Sequence, residues 1–192
     1  PSNAFITLWG DGDTLAELKF IHEKYLKNFK RKKVDSTIPL QKSFDQIKTV
    51  HAHYPVASSE DPKDKTYLAL AWVGGSPARP AEAMALDVLS DVLVNRPASP
   101  LRKALEDAGI GKDAYAYFSD TKQGVFEIVV KNANPADRKR FRELVYDTLA
   151  KLADKGLDKR LVEGVINKLE FRLREADYGS FPPGLVYTFF GI

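Results

Sequence analysis

The sequence predicts an α+β fold, a two-layer sandwich in which a mainly antiparallel sheet of about five strands carries helices on one face. Two observations predict it. Strand-like segments follow one another through short turns, an order that favours antiparallel neighbours. Long segments with apolar residues at helical spacing separate these groups, and each has one apolar stripe to bury against a sheet. The order, β-α-β-β-α-α-β-β-α-α, lacks the regular alternation of a doubly wound sheet.

Five segments have strand character because they alternate or are rich in β-branched and aromatic residues. They are residues 4–9, 46–54, 66–73, 113–118 and 124–131. The third is almost entirely apolar, which is typical of a central strand. Turn-forming residues separate it from the second segment, so these two are expected to be antiparallel neighbours.

Helices are predicted over residues 14–29, 81–94, 99–108, 134–155 and 158–177. Asp13 is a suitable N-cap for the first, and Pro80 suits the opening turn of the second. Gly109 and Gly156 end the third and fourth. Residues 36–44, which include Pro39, are expected to form an extended connector.

Composition limits the class of protein. The chain has 192 residues, of which 44% are hydrophobic and 29% are charged, as expected of a single globular domain. A net charge of +3, with acids and bases interspersed, does not favour nucleic acid or membranes as partners. Cysteine is absent, so disulfides and thiolate chemistry are excluded.

Both ends of the chain predict that it is a piece of a longer protein. It does not begin with Met, and residues 184–192 are almost all apolar. Such a stretch is expected to belong to a helix that packs on its own domain or on a neighbouring one, since it leaves apolar surface to cover. The domain is therefore expected to span residues 1–192 and to be incomplete at its C-terminal end.

The three histidines do not form a recognisable metal motif. His22-Glu23 begins like a zinc-binding His-Glu-x-x-His helix, but the residue four positions after His22 is Leu26. His51 and His53 would share one face of a strand, yet a zinc site needs a third ligand. A polar strand face is the favoured interpretation, and adventitious metal binding by this pair stays open. No metal ligand is assigned.

Other candidate sites are equally weak. Gly74-Gly75-Ser76 resembles the start of a phosphate loop but lacks its Gly-Lys-Ser/Thr ending, so a strand-to-helix turn is favoured. The basic run Lys30-Arg31-Lys32-Lys33 has no interleaved aromatic residues, and a solvated helix end explains it better than nucleic-acid binding. No Gly-x-Ser-x-Gly elbow occurs. No catalytic or cofactor-binding residue is assigned either.

Several stretches in order give a more specific indication. Together they resemble the presequence-protease branch, which includes falcilysin-type enzymes, of the insulinase-like (pitrilysin) zinc metallopeptidases. The matching residues are Pro1-Ser2-Asn3-Ala4 with Gly10-Asp11-Gly12, Ser99-Pro100-Leu101-Arg102-Lys103-Ala104-Leu105 with Gly109-Ile110-Gly111, and Glu170-Phe171, Arg174-Glu175 and Gly179-Ser180-Phe181-Pro182-Pro183-Gly184-Leu185.

The resemblance implies a four-domain peptidase whose two halves enclose a chamber. Its zinc would lie in the first domain, on a His-x-x-Glu-His motif that this sequence lacks. The chain is similar to the second, non-catalytic domain, which helps to wall the chamber. The implied partners are the other domains of the parent chain and peptide substrates, in the cytoplasm of a bacterium or an organellar matrix of a eukaryote. The alternative from a different class is an independent protein- or RNA-binding α+β module.

Overall fold

The computed structural model describes residues 2–76, 78–119 and 121–191, with the side chains described up to residue 189. The chain has two compact units, which are treated separately below. The core unit is Leu40–Phe171, and the terminal unit combines Pro1–Pro39 with Arg172–Ile192.

The described residues form six helices and three strands. In chain order they are α1 (Thr14–Ile21), β1 (Thr66–Val73), α2 (Pro80–Ser90), α3 (Pro100–Asp107), β2 (Asp113–Ser119), β3 (Val125–Ala133), α4 (Arg138–Lys155), α5 (Lys159–Glu175) and α6 (Pro183–Gly191). Short π-helical turns, His22–Leu26 and Asp91–Asn95, extend α1 and α2, and a 3-10 turn, Pro135–Asp137, precedes α4.

The sheet of the core unit is antiparallel, with β3 at its centre between β1 and β2. Leu70 of β1 and Ala116 of β2 lie opposite Ile128 of β3. Side chains alternate between the faces of a strand, so this register places Leu68, Leu70 and Trp72 on the same face as Ala114, Ala116, Phe118, Phe126, Ile128 and Val130. That face packs into the hydrophobic core.

Helices cover this face because each presents an apolar stripe to it. α2 and α3 contact β2, and α4 contacts β1. Leu101, Leu105, Phe141 and Val145 from α3 and α4 are almost completely buried in the core cluster. Full burial of one such side chain stabilises the fold by about 1.5–3 kcal/mol, so these contacts account for the helix positions.

Two of the five predicted strands are not confirmed. Residues 4–9 and 46–54 are irregular, and the described chain has three strands rather than about five. Ile47 and Val50 are largely exposed, at 76% and 84% of their surfaces. Alternation marks a segment that can pair, but a strand forms only where a neighbouring edge accepts its backbone hydrogen bonds. β1, predicted to be central, is consequently an edge strand of this sheet.

The helix predictions agree better with the structure. Those for residues 81–94, 99–108, 134–155 and 158–177 correspond to α2 with its π turn, α3, the 3-10 turn with α4, and α5. The predicted helix 14–29 is shorter: α1 and its π turn end at Leu26. No helix of the described residues has both the length and the hydropathy needed to cross a membrane.

The terminal unit contains α1 and α6. The Asp13 carboxylate caps α1 by accepting from the amides of Leu15 and Ala16, as the sequence predicts. In α6, Gly184 lies against the Trp9 ring so closely that an added Cβ would collide with it. The Tyr187 ring meets that of Tyr178 edge-on, with centroids 5.8 Å apart. The apolar stretch after Pro182 therefore forms a helix with contacts inside its own unit.

Candidate functional site

The face of the sheet opposite α2, α3 and α4 is rich in tyrosine and alanine. We call it the tyrosine face. Its members are Tyr67, Ala69, Ala71 and Val73 of β1, Tyr115 and Tyr117 of β2, and Val125, Glu127, Val129 and Lys131 of β3. Tyr67 is 54% exposed and Tyr117 is 40% exposed. Side chains of this size and exposure on one face form a broad, partly apolar surface with a few polar groups.

The tyrosines of β2 are organised by contacts with one another and with β3. The Tyr115 and Tyr117 rings stack, with centroids 6.1 Å apart and planes 18° apart. The Lys131 ammonium lies 4.8 Å from the centroid of Tyr115. Glu127 lies opposite Tyr117 in the register of β2 and β3. Hydrogen bonding between its carboxylate and the Tyr117 hydroxyl raises the pKa of Tyr117, because the ionised phenol could not donate and would place two negative charges together.

The outer edge of β2 is closed by side chains. The Asn95 carboxamide donates to the carbonyl of Ala116 and accepts from its amide, each at 2.8 Å. Arg102 donates to the carbonyl of Ala114 and also reaches Asp113 at 3.2 Å. These bonds occupy backbone groups that would otherwise template another strand. Both donors belong to the helical layer, so the layer fixes this edge as well as covering the core.

A polar junction joins Asp64, two residues before β1, to Asn134, which follows β3. Asp64, which adopts the left-handed conformation with φ of 56°, accepts from the Asn134 side chain at 2.8 Å and pairs with Lys112 at 3.0 Å. The Asp64 amide in turn donates to the Asn134 side chain. These partners hold the pKa of Asp64 below its ordinary value, the bond from Asn134 most strongly.

The histidines are not brought together with further ligands. His51 lies in an irregular segment, and its Nε2 is 3.1 Å from the Arg138 guanidinium. His53 is exposed in the same segment, and His22 is exposed at the start of a π turn in the terminal unit. Within the described ranges, no three or more His, Asp or Glu side chains cluster as metal ligands would.

The glycine loop after β1 has a structural role. The amide of Gly74 donates to the carbonyl of Gly124, which continues the ladder with β3. Gly75 has φ of 76°, a conformation that disfavours a side chain, and an added Cβ would lie 2.6 Å from Leu86 Cδ1. The turn thus connects β1 to α2, as the sequence predicts. The close approach of Gly75 to Leu86 is visible only in the structure.

A cavity of about 280 Å³ lies beside this loop on the helix-covered side of the sheet. Its lining is mainly apolar: Trp72, Gly74, Gly75, Leu86, Leu89, Leu93, Phe126 and Leu149, with Glu82 as the acidic member. The Glu82 carboxylate is already paired with the guanidinium of Arg79, at 2.8 Å. The charge of this cavity is therefore compensated from within the chain.

Sequence reasoning did not single out the tyrosine face as a site. The signal was present in Ala114-Tyr115-Ala116-Tyr117, where small buried residues alternate with large aromatic ones. Its meaning depends on which strand lies next to β2 and which face the helices cover, and neither is visible in the sequence itself.

Comparison with known proteins decides the family. Residues 1–169 match the model of the peptidase M16 inactive domain. The chain belongs to this family. Its resemblance to the presequence-protease branch of the insulinase-like metallopeptidases is confirmed by relatives along almost its whole length.

The M16 relatives are much longer than this chain. Protein HypA of Clostridium perfringens is 48% identical over 188 residues, which are 97% of this chain and 19% of that protein. Presequence protease 1, chloroplastic/mitochondrial, of Arabidopsis thaliana is 35% identical over 190 residues, 96% of this chain and 18% of that protein. The chain thus spans about a fifth of the length of these curated relatives.

A solved structure supports the fold. The crystal structure of the inactive peptidase domain of a candidate zinc protease from Bordetella parapertussis aligns with a TM-score of 0.50 and 16% identity, over 57% of this chain and 60% of that one. This likeness is of fold. It agrees with an α+β domain built on an antiparallel sheet and helices.

Proposed function

We propose that this chain is the second, non-catalytic domain of a larger zinc metalloendopeptidase that degrades peptides, and that its tyrosine face forms part of the wall of the substrate chamber. The observation that carries the proposal is the asymmetry of the sheet. One face is buried under helices, whereas the other presents Tyr67, Tyr117 and Val73, with 40–61% of each residue exposed. Membership of the M16 inactive-domain family supplies the context.

The composition of the tyrosine face suits contact with unstructured peptides. Tyrosine rings bury much area at low conformational cost and accept many side chains. Ala69 and Ala71 lie beside them on β1 and leave room above the sheet. Glu127 and Lys131 contribute one charge of each sign. Such a surface would hold peptides of varied sequence without a fixed register, which a chamber wall requires.

We also propose that the domain is a two-layer sandwich, with one layer of helices on one face of the sheet. The cover of α2, α3 and α4 on one sheet face supports it, since a second layer of helices on the tyrosine face would bury its aromatic residues. In this arrangement the helices form the outside of the domain, and the sheet faces the chamber.

In this proposal the zinc belongs to the first domain of the parent chain. The 192-residue domain itself holds no zinc. The other parent domains are its partners, and the parent works in the cytoplasm of a bacterium or in an organellar matrix of a eukaryote. Metal analysis of the chelator-washed chain is expected to find no tightly held zinc. One zinc retained per chain would contradict this part of the proposal.

Photo-crosslinking in the complete parent protein tests the chamber wall. The parent would be inactivated at the glutamate of its zinc motif, so that peptides enter and stay intact, and would be loaded with peptides that carry a benzophenone. Crosslinks are expected on β1 and β2 around Tyr67 and Tyr117. The exposed side of α4, at Arg142, is the matched control and should stay unlabelled.

Crosslinks confined to other domains would overturn the proposal. Salt-dependent binding of RNA by the isolated chain would instead favour the alternative of an independent binding module. Crosslinking and RNA binding distinguish a chamber wall from an independent binding module. Crosslinking detects peptide inside the full-length parent protein, whereas RNA binding is measured on the isolated chain.

A further inference from the structure

One carboxylate on the tyrosine face has more hydrogen-bond acceptor positions than its neighbours in the described chain fill. Glu127 of β3 lies between Ala71 of β1 on one side and Tyr117 of β2 on the other. The Tyr117 hydroxyl interacts with its carboxylate across this pair of strands. An ionised carboxylate has about four acceptor positions, so one hydroxyl leaves most of them free. In the part of the chain that the structure describes, Glu127 takes part in none of the ion pairs.

The neighbours of Glu127 leave one side of it approachable. Ala71 is exposed and contributes only a methyl group, so nothing bulky stands directly across from the carboxylate on β1. Because β1 is an edge strand, a ligand that lies over β1 reaches Glu127 without crossing the rest of the sheet. A carboxylate that is half-buried beside an aromatic ring is also less screened than one on an open surface.

A cation already lies over the neighbouring tyrosine ring of this face. Tyr115 carries the ammonium of Lys131 over its ring. Tyr117 stacks beside Tyr115 and is 40% exposed, and in the described chain it has no such cation of its own. It therefore combines an accessible ring face with an adjacent carboxylate, and the two together match a planar cation.

We infer that Tyr117 and Glu127 form a subsite that binds an arginine side chain of a peptide. The guanidinium stacks on the Tyr117 ring and donates to the Glu127 oxygens that Tyr117 leaves free. Arginine fits better than lysine because its planar group can stack and donate two hydrogen bonds at once. The inference deepens the proposed function and rests on it, since it names the side chain that this part of the chamber wall selects.

Binding of paired peptides to the 192-residue chain tests the subsite. Two fluorescent peptides of the same Ser, Ala and Val host sequence differ only at the centre, where one has arginine and the other citrulline, an uncharged and nearly isosteric residue. Fluorescence anisotropy at low ionic strength is expected to give about tenfold tighter binding of the arginine peptide. High ionic strength should reduce that preference.

Variants assign the preference to the two residues. Glu127→Gln keeps the shape and removes the charge, so it should remove most of the discrimination between the peptides. Tyr117→Leu should also weaken it, whereas Tyr117→Phe keeps the ring and retains part of it. Glu143→Gln on α4 is the control, because this glutamate is exposed on a helix and pairs with Lys139 at 3.8 Å. Circular dichroism confirms that each variant is folded.

The outcomes separate this inference from the proposed function. Equal affinity for both peptides, or discrimination that survives Glu127→Gln, would overturn the arginine subsite and leave the chamber-wall role standing. Binding of neither peptide would likewise overturn the subsite. The chamber-wall role is decided by crosslinking inside the parent, so its failure is seen in a different experiment.

Discussion

The Asn95 side chain forms a two-point hydrogen bond with the backbone of Ala116, donating to its carbonyl and accepting from its amide, each at 2.8 Å. It thereby imitates a neighbouring strand at the outer edge of β2. Asn95 ends the π turn after α2, so one residue joins the helical layer to the sheet. Because Ala116 is buried, its backbone groups have little access to water as a substitute partner.

Asn95→Ala is expected to reduce the free energy of unfolding by about 1–3 kcal/mol, since it leaves a buried amide and carbonyl unpaired. Urea denaturation would measure the loss. Asn167→Ala is the control, because Asn167 is exposed on α5. A loss at position 95 no larger than that at position 167 would show that the edge bond contributes little.

Two glycines should respond in opposite directions to alanine. Gly75 has a left-handed φ of 76° and no room for a Cβ beside Leu86, so Gly75→Ala is expected to destabilise the protein by more than about 1 kcal/mol. Gly164 lies inside α5 with open space around it. Gly164→Ala should stabilise by about 0.5–1 kcal/mol, the usual difference in helix propensity. Thermal unfolding of both variants and of the unsubstituted chain measures the two changes in stability, and changes of the same sign would contradict this prediction.

Removing a core side chain of α4 is expected to lower the stability of the protein more than the glycine substitutions change it. Phe141 is 2% exposed and belongs to the core cluster, so Phe141→Ala is expected to cost about 3–5 kcal/mol through lost burial and a residual cavity. Phe171 on α5 is 65% exposed, and Phe171→Ala is the matched control with an effect of about 0.5 kcal/mol. The midpoint of urea unfolding compares the two. Similar midpoints would mean that α4 does not pack as described.

The polar junction at Asp64 predicts that the stability of the folded chain depends on pH. The bonds from Asn134 and Lys112 hold the pKa of Asp64 in the folded chain below the ordinary value of 3.8. A lowered folded pKa adds stability that is present above the unfolded pKa and is lost as pH falls through the folded one. Asp64→Asn removes the titrating group and still tolerates the left-handed backbone.

The difference in the free energy of unfolding between the unsubstituted chain and Asp64→Asn should therefore be constant above about pH 5 and shrink below it. Urea unfolding at a series of pH values measures this. Asp154→Asn, which makes the same replacement at an exposed position on α4, is the control. A difference for Asp64→Asn that stays constant down to the acid limit would mean that the carboxylate does not act through its charge.

Local features that depend on neighbours in sequence could be predicted. The caps and breaks at Asp13, Pro80, Gly109 and Gly156 were recognised because capping and helix termination need only a few adjacent residues. The strands around residues 66–73, 113–118 and 124–131 were also found, since their alternation is strong and two of them are joined by a short turn. The family was recognised from ordered motifs that span the chain.

The tertiary structure decided which alternating segments pair and which face of the sheet is covered. Residues 46–54 alternate in sequence but are irregular, and Thr66–Val73, although almost wholly apolar, is an edge strand. Strand pairing is a long-range interaction, so a segment cannot indicate its own partner. The same reason explains the tyrosine face. Tyr115, Tyr117, Glu127 and Lys131 are separate in sequence and meet only through the register of β2 and β3.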